Sequence, residues 1–152
     1  MVKQRADSIW DQEWFDYYVF SSREAEPSDA ERQSGAYLIG QAEAEHLERL
    51  FAPLFHTVGI GITTSDDEVV GGDGALSALA EAIENAIRDA EGRPEKWPVN
   101  IGSTFEPFQA GPGVPIIKYA YRSKLHTFLQ KVAEIVRQAR EARGYVHFGG
   151  GG

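Results

Sequence analysis

The chain has 152 residues and a mass of 16.8 kDa, room for one compact domain and little more. Without a cysteine it has no disulfide, no thiolate nucleophile and no thiolate-ligated metal centre, and 42% hydrophobic against 25% charged residues argues against wholesale disorder. The net charge of −8 would repel a phosphate backbone, so nucleic acid is a poor partner and a basic protein a better one.

No apolar run follows the early basic residues as in a secretory signal, and FAPLFHTVGIGI (51–62) is too short to span a bilayer. The chain reads as cytoplasmic, with no membrane association. WFDYYVF (14–20) is dense in aromatic and β-branched residues and predicts a strand covered on both faces. SSREAEPSDAERQSG (21–35) is polar, holds Pro27 and Gly35, and predicts a surface loop. After the short apolar run Tyr37–Ile39, a helix is expected from Gln41, with Leu47, Leu50, Phe51 and Leu54 at helical spacing and Pro53 ending or kinking it.

TVGIGITT (57–64) alternates like a strand, its Gly59 and Gly61 leaving one face bare for a close approach. SDDEVVGGDG (65–74) reads as a turn whose Asp73 caps the next helix. That helix carries the stripe Leu76, Leu79, Ala80, Ile83, Ile87 and Ala90, with Gly92 expected as a left-handed cap. Residues 95–113 predict a short strand at Val99–Ile101 followed by a Gly/Pro/aromatic loop. VPIIKYAY (114–121) alternates like an edge strand yet also continues the next helix's stripe through Ile117 and Tyr121, so it reads as strand or extended loop with helix left open. From Ser123, the expected cap, to Arg143 the residues Leu125, Phe128, Leu129, Val132, Ile135, Val136 and Ala139 share a helical face, and YVHF (145–148) is a last strand before four glycines. The sum is an α+β (or α/β) domain over 1–148, a mixed sheet of about 4–5 strands packed by about three helices, with a glycine tail at 149–152.

Chemistry-bearing patterns are sparse. Gly59 and Gly61 lack the third glycine of a dinucleotide loop, and no P-loop or nucleophile elbow is present. Glu43 and His46 form a single E-x-x-H where a di-iron site needs two, so they read as a solvated helix face, and no metal or other cofactor is expected. The histidines at 46, 56, 126 and 147 have no recognisable serine or threonine partner, and His147 reads as structural. Seven basic residues between Lys118 and Arg143 read as compensation of an acidic first half, where residues 1–76 hold 15 acidic against 5 basic side chains.

The aromatic strand WFDYYVF, the WPVNIG after the second long helix, and YRSKLHTFLQKVAEIVRQAREARGYVHF together resemble the small immunity proteins that accompany bacterial polymorphic toxins, over the last 60 or so residues and the first strand. The resemblance implies a non-catalytic protein, without cofactor, that binds a cognate toxin stoichiometrically and occludes its active site. Acidic side chains would then steer a basic toxin domain and aromatics would anchor it. The residues expected to do so are Asp11, Glu13, Glu24, Glu26, Asp29, Glu31, Asp66, Asp67 and Glu68, with Phe105 and Phe108 as anchors. Two other readings stay open. One is a small enzyme or ligand-binding domain with its site between the Gly59/Gly61 strand and the 102–113 loop; the other is a carrier whose terminal Gly-Gly resembles that of ubiquitin-like proteins.

Overall fold

The computed structural model describes residues 16–54, 68–103 and 113–151. In chain order these form β1 (Asp16–Ser22), α1 (Asp29–Gln33), β2 (Ala36–Ile39), α2 (Gln41–Phe51) with a 3-10 turn at Ala52–Leu54, β3 (Glu68–Gly71), α3 (Asp73–Glu91), β4 (Lys96–Ser103), β5 (Pro115–Tyr121), α4 (Arg122–Ala142) and β6 (Tyr145–Gly151). Four strands pair in the order β2-β1-β6-β3, while β4 and β5 pair with each other as a separate hairpin. The α+β class is the expected one, and every ladder among the described residues is antiparallel.

The centre of the large sheet joins the two ends of the described chain, β1 running against β6 from Asp16 opposite Gly151 to Ser22 opposite Tyr145. Side chains alternate along a strand, so Val19, Ala36, Leu38, Val70, Val146 and Phe148 share one face, all buried. Against that face lies α4, whose 3.6-residue period brings Leu125, Phe128, Leu129, Val132, Ile135, Val136 and Ala139 to a single buried stripe. The helix α3 packs along α4 with Leu76, Leu79, Ile83, Ala86 and Ala90 and also reaches β3. Trp97, Val99 and Ala120 close the core from the inner face of the hairpin, which rests on α2.

Several local expectations are corrected. The 21–35 segment is not all loop: Ser28 accepts from the Glu31 N–H while the Glu31 carboxylate accepts from the Ser28 N–H, a reciprocal cap that starts the five-residue α1. The segment read as a turn contains β3, because Val70 finds a place in the core opposite Val146. Gly72, at φ 92, stands at the start of α3 in place of Asp73, which is the first residue inside the helix. Gly92 is right-handed at φ −83; the left-handed helix end is Arg143 at φ 54. The residue after it, Gly144, passes so close to the Ser22 carbonyl oxygen that no Cβ fits there.

At its start α4 has Tyr121 in the cap position and no side-chain cap, so Ser123 does not serve as one. The expected strand at Val99–Ile101 extends over Lys96–Ser103, with a bulge at Asn100/Gly102 where the Asn100 side chain accepts from the Gly102 N–H. Of the ambiguous VPIIKYAY, Pro115–Tyr121 is the strand β5, and the helix starts only at Arg122. The glycine run is sheet: Gly149, Gly150 and Gly151 stand opposite Tyr18, Tyr17 and Asp16. The expected strand at 57–64 lies outside the described residues.

Candidate functional site

Alternation sorts the hairpin residues to two faces. Trp97, Val99, Ile101, Ile116, Lys118 and Ala120 turn toward α2, while Lys96, Pro98 and Asn100 stand on the outer face opposite Tyr121, Tyr119 and Ile117. On that outer face Ile117, Tyr119 and Tyr121 are 49%, 50% and 45% exposed, and Val114 just before β5 is 58% exposed. Three neighbouring apolar or aromatic side chains on one strand form a patch, whereas single exposed apolar residues elsewhere are ordinary surface. The Lys96 ammonium lies 4.9 Å from the centre of the Tyr119 ring, which shows that this ring face accepts a cation.

The hairpin is held from beneath by a polar clasp. His46 on α2 gives its Nε2–H to Asp89 Oδ2 on α3 at 2.9 Å, and Arg93 donates to both Asp89 oxygens at 3.3 and 3.4 Å. Arg93 also lies 5.1 Å from the Trp97 ring, and Trp97 meets the His46 ring edge-on at 5.1 Å. Arg122 donates to the Arg93 carbonyl at 2.8 Å, and Arg49 donates to the Asn100 carbonyl at 2.8 Å. The clasp thus fixes both the base and the middle of β4.

Its electrostatics follow from partial burial. Desolvation lowers the His46 pKa below its usual value, against an opposing pull from the Asp89 carboxylate. Burial alone would raise Asp89, but the hydrogen bonds from His46 and Arg93 together outweigh it and hold the carboxyl below its ordinary range. At neutral pH the pair is therefore a neutral imidazole donating to a carboxylate.

Glu43 and His46 do not lie on a solvated face, since they are only 2% and 7% exposed. Their directions diverge: Glu43 meets the Lys124 ammonium at 3.7 Å while His46 turns to Asp89. Among the described residues no group of His, Cys, Asp or Glu has the arrangement to hold a metal ion. The Lys124–Glu43 pair does carry positive charge from the basic helix to the acidic first half, but Arg137 is engaged by Glu134 and Glu141 on its own helix.

The buried His147 has a serine partner that the sequence does not reveal. Its Nε2 lies 2.7 Å from Ser22 Oγ, and its ring stacks on Phe20 at 4.7 Å, because β1 and β6 put the three residues on one face. Ser22 gives its hydroxyl hydrogen to the Glu24 carbonyl and so accepts from the imidazole N–H. That polarity fastens the strand ends and does not activate the hydroxyl as a nucleophile.

The expected acidic patch is divided. Glu24, Glu26 and Asp29 are exposed around α1, with Arg23 and Arg32 interleaved. Glu31 is committed locally: its carboxylate accepts from the Ser28 and Arg23 N–H groups, and these hydrogen bonds lower its pKa. Glu68 is on the edge strand β3, paired opposite Phe148 and so several residues along β6 from the end that adjoins Ser22. Asp11, Glu13, Asp66, Asp67, Phe105 and Phe108 lie outside the described residues, as do Gly59, Gly61 and most of the 102–113 loop. The tyrosines of β5 are exposed aromatics that sequence reading did not single out; the alternation in PIIKYAY also fits a helix, and only its pairing with β4 shows that it is a strand and which face is bare. No helix among the described residues is long and apolar enough to cross a membrane. No family model, curated protein or solved structure matches this chain.

Proposed function

We propose that this protein is a non-catalytic binding protein of the immunity type, which occludes a cognate toxin domain by docking on the outer face of the β4–β5 hairpin. The observation that carries the reading is the half-exposed row Ile117, Tyr119 and Tyr121 on a strand whose other face is anchored in the core. Tyrosine contributes large, rigid contact area for little conformational entropy, which is why it is enriched at binding hot spots. A prefixed strand also spares the ordering cost that a loop would incur on binding.

A basic partner fits the overall charge. The net charge of −8 steers a cationic protein at long range, and at the face itself the contact rests on the aromatic rings, one of which Lys96 of this chain already covers. In this reading Glu24, Glu26 and Asp29 add to the steering field while the tyrosines make the contact. The test is affinity capture on the intact chain, followed by an assay of whatever partner is held in near-equal amount. A single basic partner whose toxic activity is silenced by the chain, which is released by rising salt and no longer held by the Tyr119→Ala/Tyr121→Ala variant, is the expected result. A partner held equally well by that variant overturns the docking face; one whose activity is untouched overturns the inhibitory role.

A further inference from the structure

The large sheet has a second surface with binding geometry, built from residues other than those of the hairpin's bare face. Among the described residues β2 pairs only with β1, so it is an edge strand of the described sheet, and alternate N–H and C=O groups of Ala36–Ile39 have no partner strand among the described residues. Beside this edge runs α4, and between them lies a groove of about 500 Å³. Ala36, Tyr37 and Leu38 form one wall; Ser123, Lys124, Thr127, Phe128 and Lys131 form the other. An open strand edge flanked by a helix is the setting in which an extended peptide adds itself to a sheet.

Charge selects the occupant. Both charged residues lining the groove are lysines, and Lys131 has no carboxylate partner among the described residues. The buried Glu43 carboxylate, 3.7 Å from the Lys124 ammonium, holds that ammonium at the groove wall, where an added carboxylate would share it, so Lys131 is the stronger charge determinant. Lys124 and Lys131 are seven residues apart, roughly 10 Å along the helix axis. In an added strand, residues four apart face the same way at a separation of about 13 Å, a difference that flexible lysine stems absorb. Midway between the lysines, Phe128 and the β2 residues Ala36 and Leu38 offer an apolar floor.

We infer that the groove between β2 and α4 binds an extended acidic peptide segment of a partner protein, added as a strand to β2, with the pattern acidic-x-apolar-x-acidic facing the helix. The carboxylates pair with Lys124 and Lys131, the central apolar side chain rests on Phe128, and backbone hydrogen bonds to β2 set the register. This site does not depend on the hairpin, and a basic toxin that carries such an acidic strand would engage both.

The test uses the intact chain and a fluorescent seven-residue peptide with aspartate at its second and sixth positions, leucine at the fourth and threonine elsewhere, followed by anisotropy at low salt. Binding is expected, weakened about tenfold or more by Lys131→Glu and restored toward the original level when the one peptide aspartate that faces position 131 is exchanged for lysine against that variant while the other is kept for Lys124. Methylating alternate backbone nitrogens of the peptide, in the two possible phases, should abolish binding in one phase and spare it in the other. The Tyr119→Ala/Tyr121→Ala variant should bind the peptide unchanged, which separates this site from the hairpin face. Absence of binding by the intact chain, indifference to Lys131→Glu, or equal tolerance of both methylation phases overturns the inference.

Discussion

The large sheet and the hairpin are both antiparallel, yet they differ in how many of their faces are hidden. In β1 and β6, Val19 and Phe20, and likewise Val146, His147 and Phe148, are buried on alternating sides, so the central strands are covered on both. In β4 and β5, Trp97, Val99 and Ala120 are buried while Lys96, Pro98, Tyr119 and Tyr121 on the opposite side are exposed. Substitutions in the first region remove packing that nothing replaces, whereas substitutions on the bare side of the second alter what the molecule presents to a partner.

The contrast is broken most directly at the helix that covers the sheet. Leu129 is fully buried in α4, and Leu129→Ala should lower the unfolding free energy by about 2–5 kcal/mol in a denaturant titration. A loss no larger than that of a surface variant would mean that α4 does not close the core. Next comes Gly144→Ala, where the added Cβ meets the Ser22 carbonyl oxygen and the β1–β6 junction must move, at a cost of about 1–3 kcal/mol. Thermal melting of this variant alongside Gly74→Ala, where a Cβ has open space, isolates the close approach from the loss of a glycine.

The clasp beneath the hairpin gives a pH signature. His46 and Asp89 both titrate below their ordinary values of 6.5 and 3.8, so the unfolded chain takes up protons that the folded chain refuses. Their contribution is complete above about pH 6.5 and is lost as pH falls, through His46 first and Asp89 later. Asp89→Asn should cost about 1–2 kcal/mol at neutral pH, because it weakens the hydrogen bonds to His46 and Arg93. It should also steepen the stability loss just below pH 6.5, since the carboxylate is what keeps the imidazole from falling further, and flatten it below pH 3.8. Unfolding midpoints of both proteins across this range decide the matter; parallel curves would remove the pair from the stability of the fold.

The smallest effect on stability is expected on the hairpin's bare face. Tyr119→Ala/Tyr121→Ala should change the unfolding free energy by less than about 0.5 kcal/mol for each substitution, apart from the lost contact of Lys96 with Tyr119. Its consequence is read in partner binding. A large fall in stability would instead assign these tyrosines to folding and sharpen the contrast at a different boundary.

The helices were the most legible features, because a sustained 3.6-residue apolar period can be satisfied in only one way. The α4 stripe is buried in full as its spacing requires; in α3, Leu76, Leu79, Ile83 and Ala90 are buried, Ala80 and Ile87 are half-buried, and Ala86 joins the buried face. Short strands were less legible. Val70 gives β3 its place only because Val146 lies opposite, and a glycine run has no side-chain pattern from which Gly149–Gly151 could be read as a paired strand. The same limit explains the candidate site: Ser22 and His147 are separated by 125 residues, and nothing local to either announces the other.

What the amino-acid sequence determined by itself was the α+β class, the two long amphipathic helices and the strand character of residues 16–20, since each follows from local periodicity and residue shape, whereas VPIIKYAY fitted a strand and a helix alike. Only the tertiary structure decided that Glu43 and His46 face inward to different partners, that Glu31 is tied to its own turn, and that the tyrosines of β5 are left bare. These outcomes depend on which distant segment covers a given face, and burial is a property of the assembled layers that no window along the chain contains.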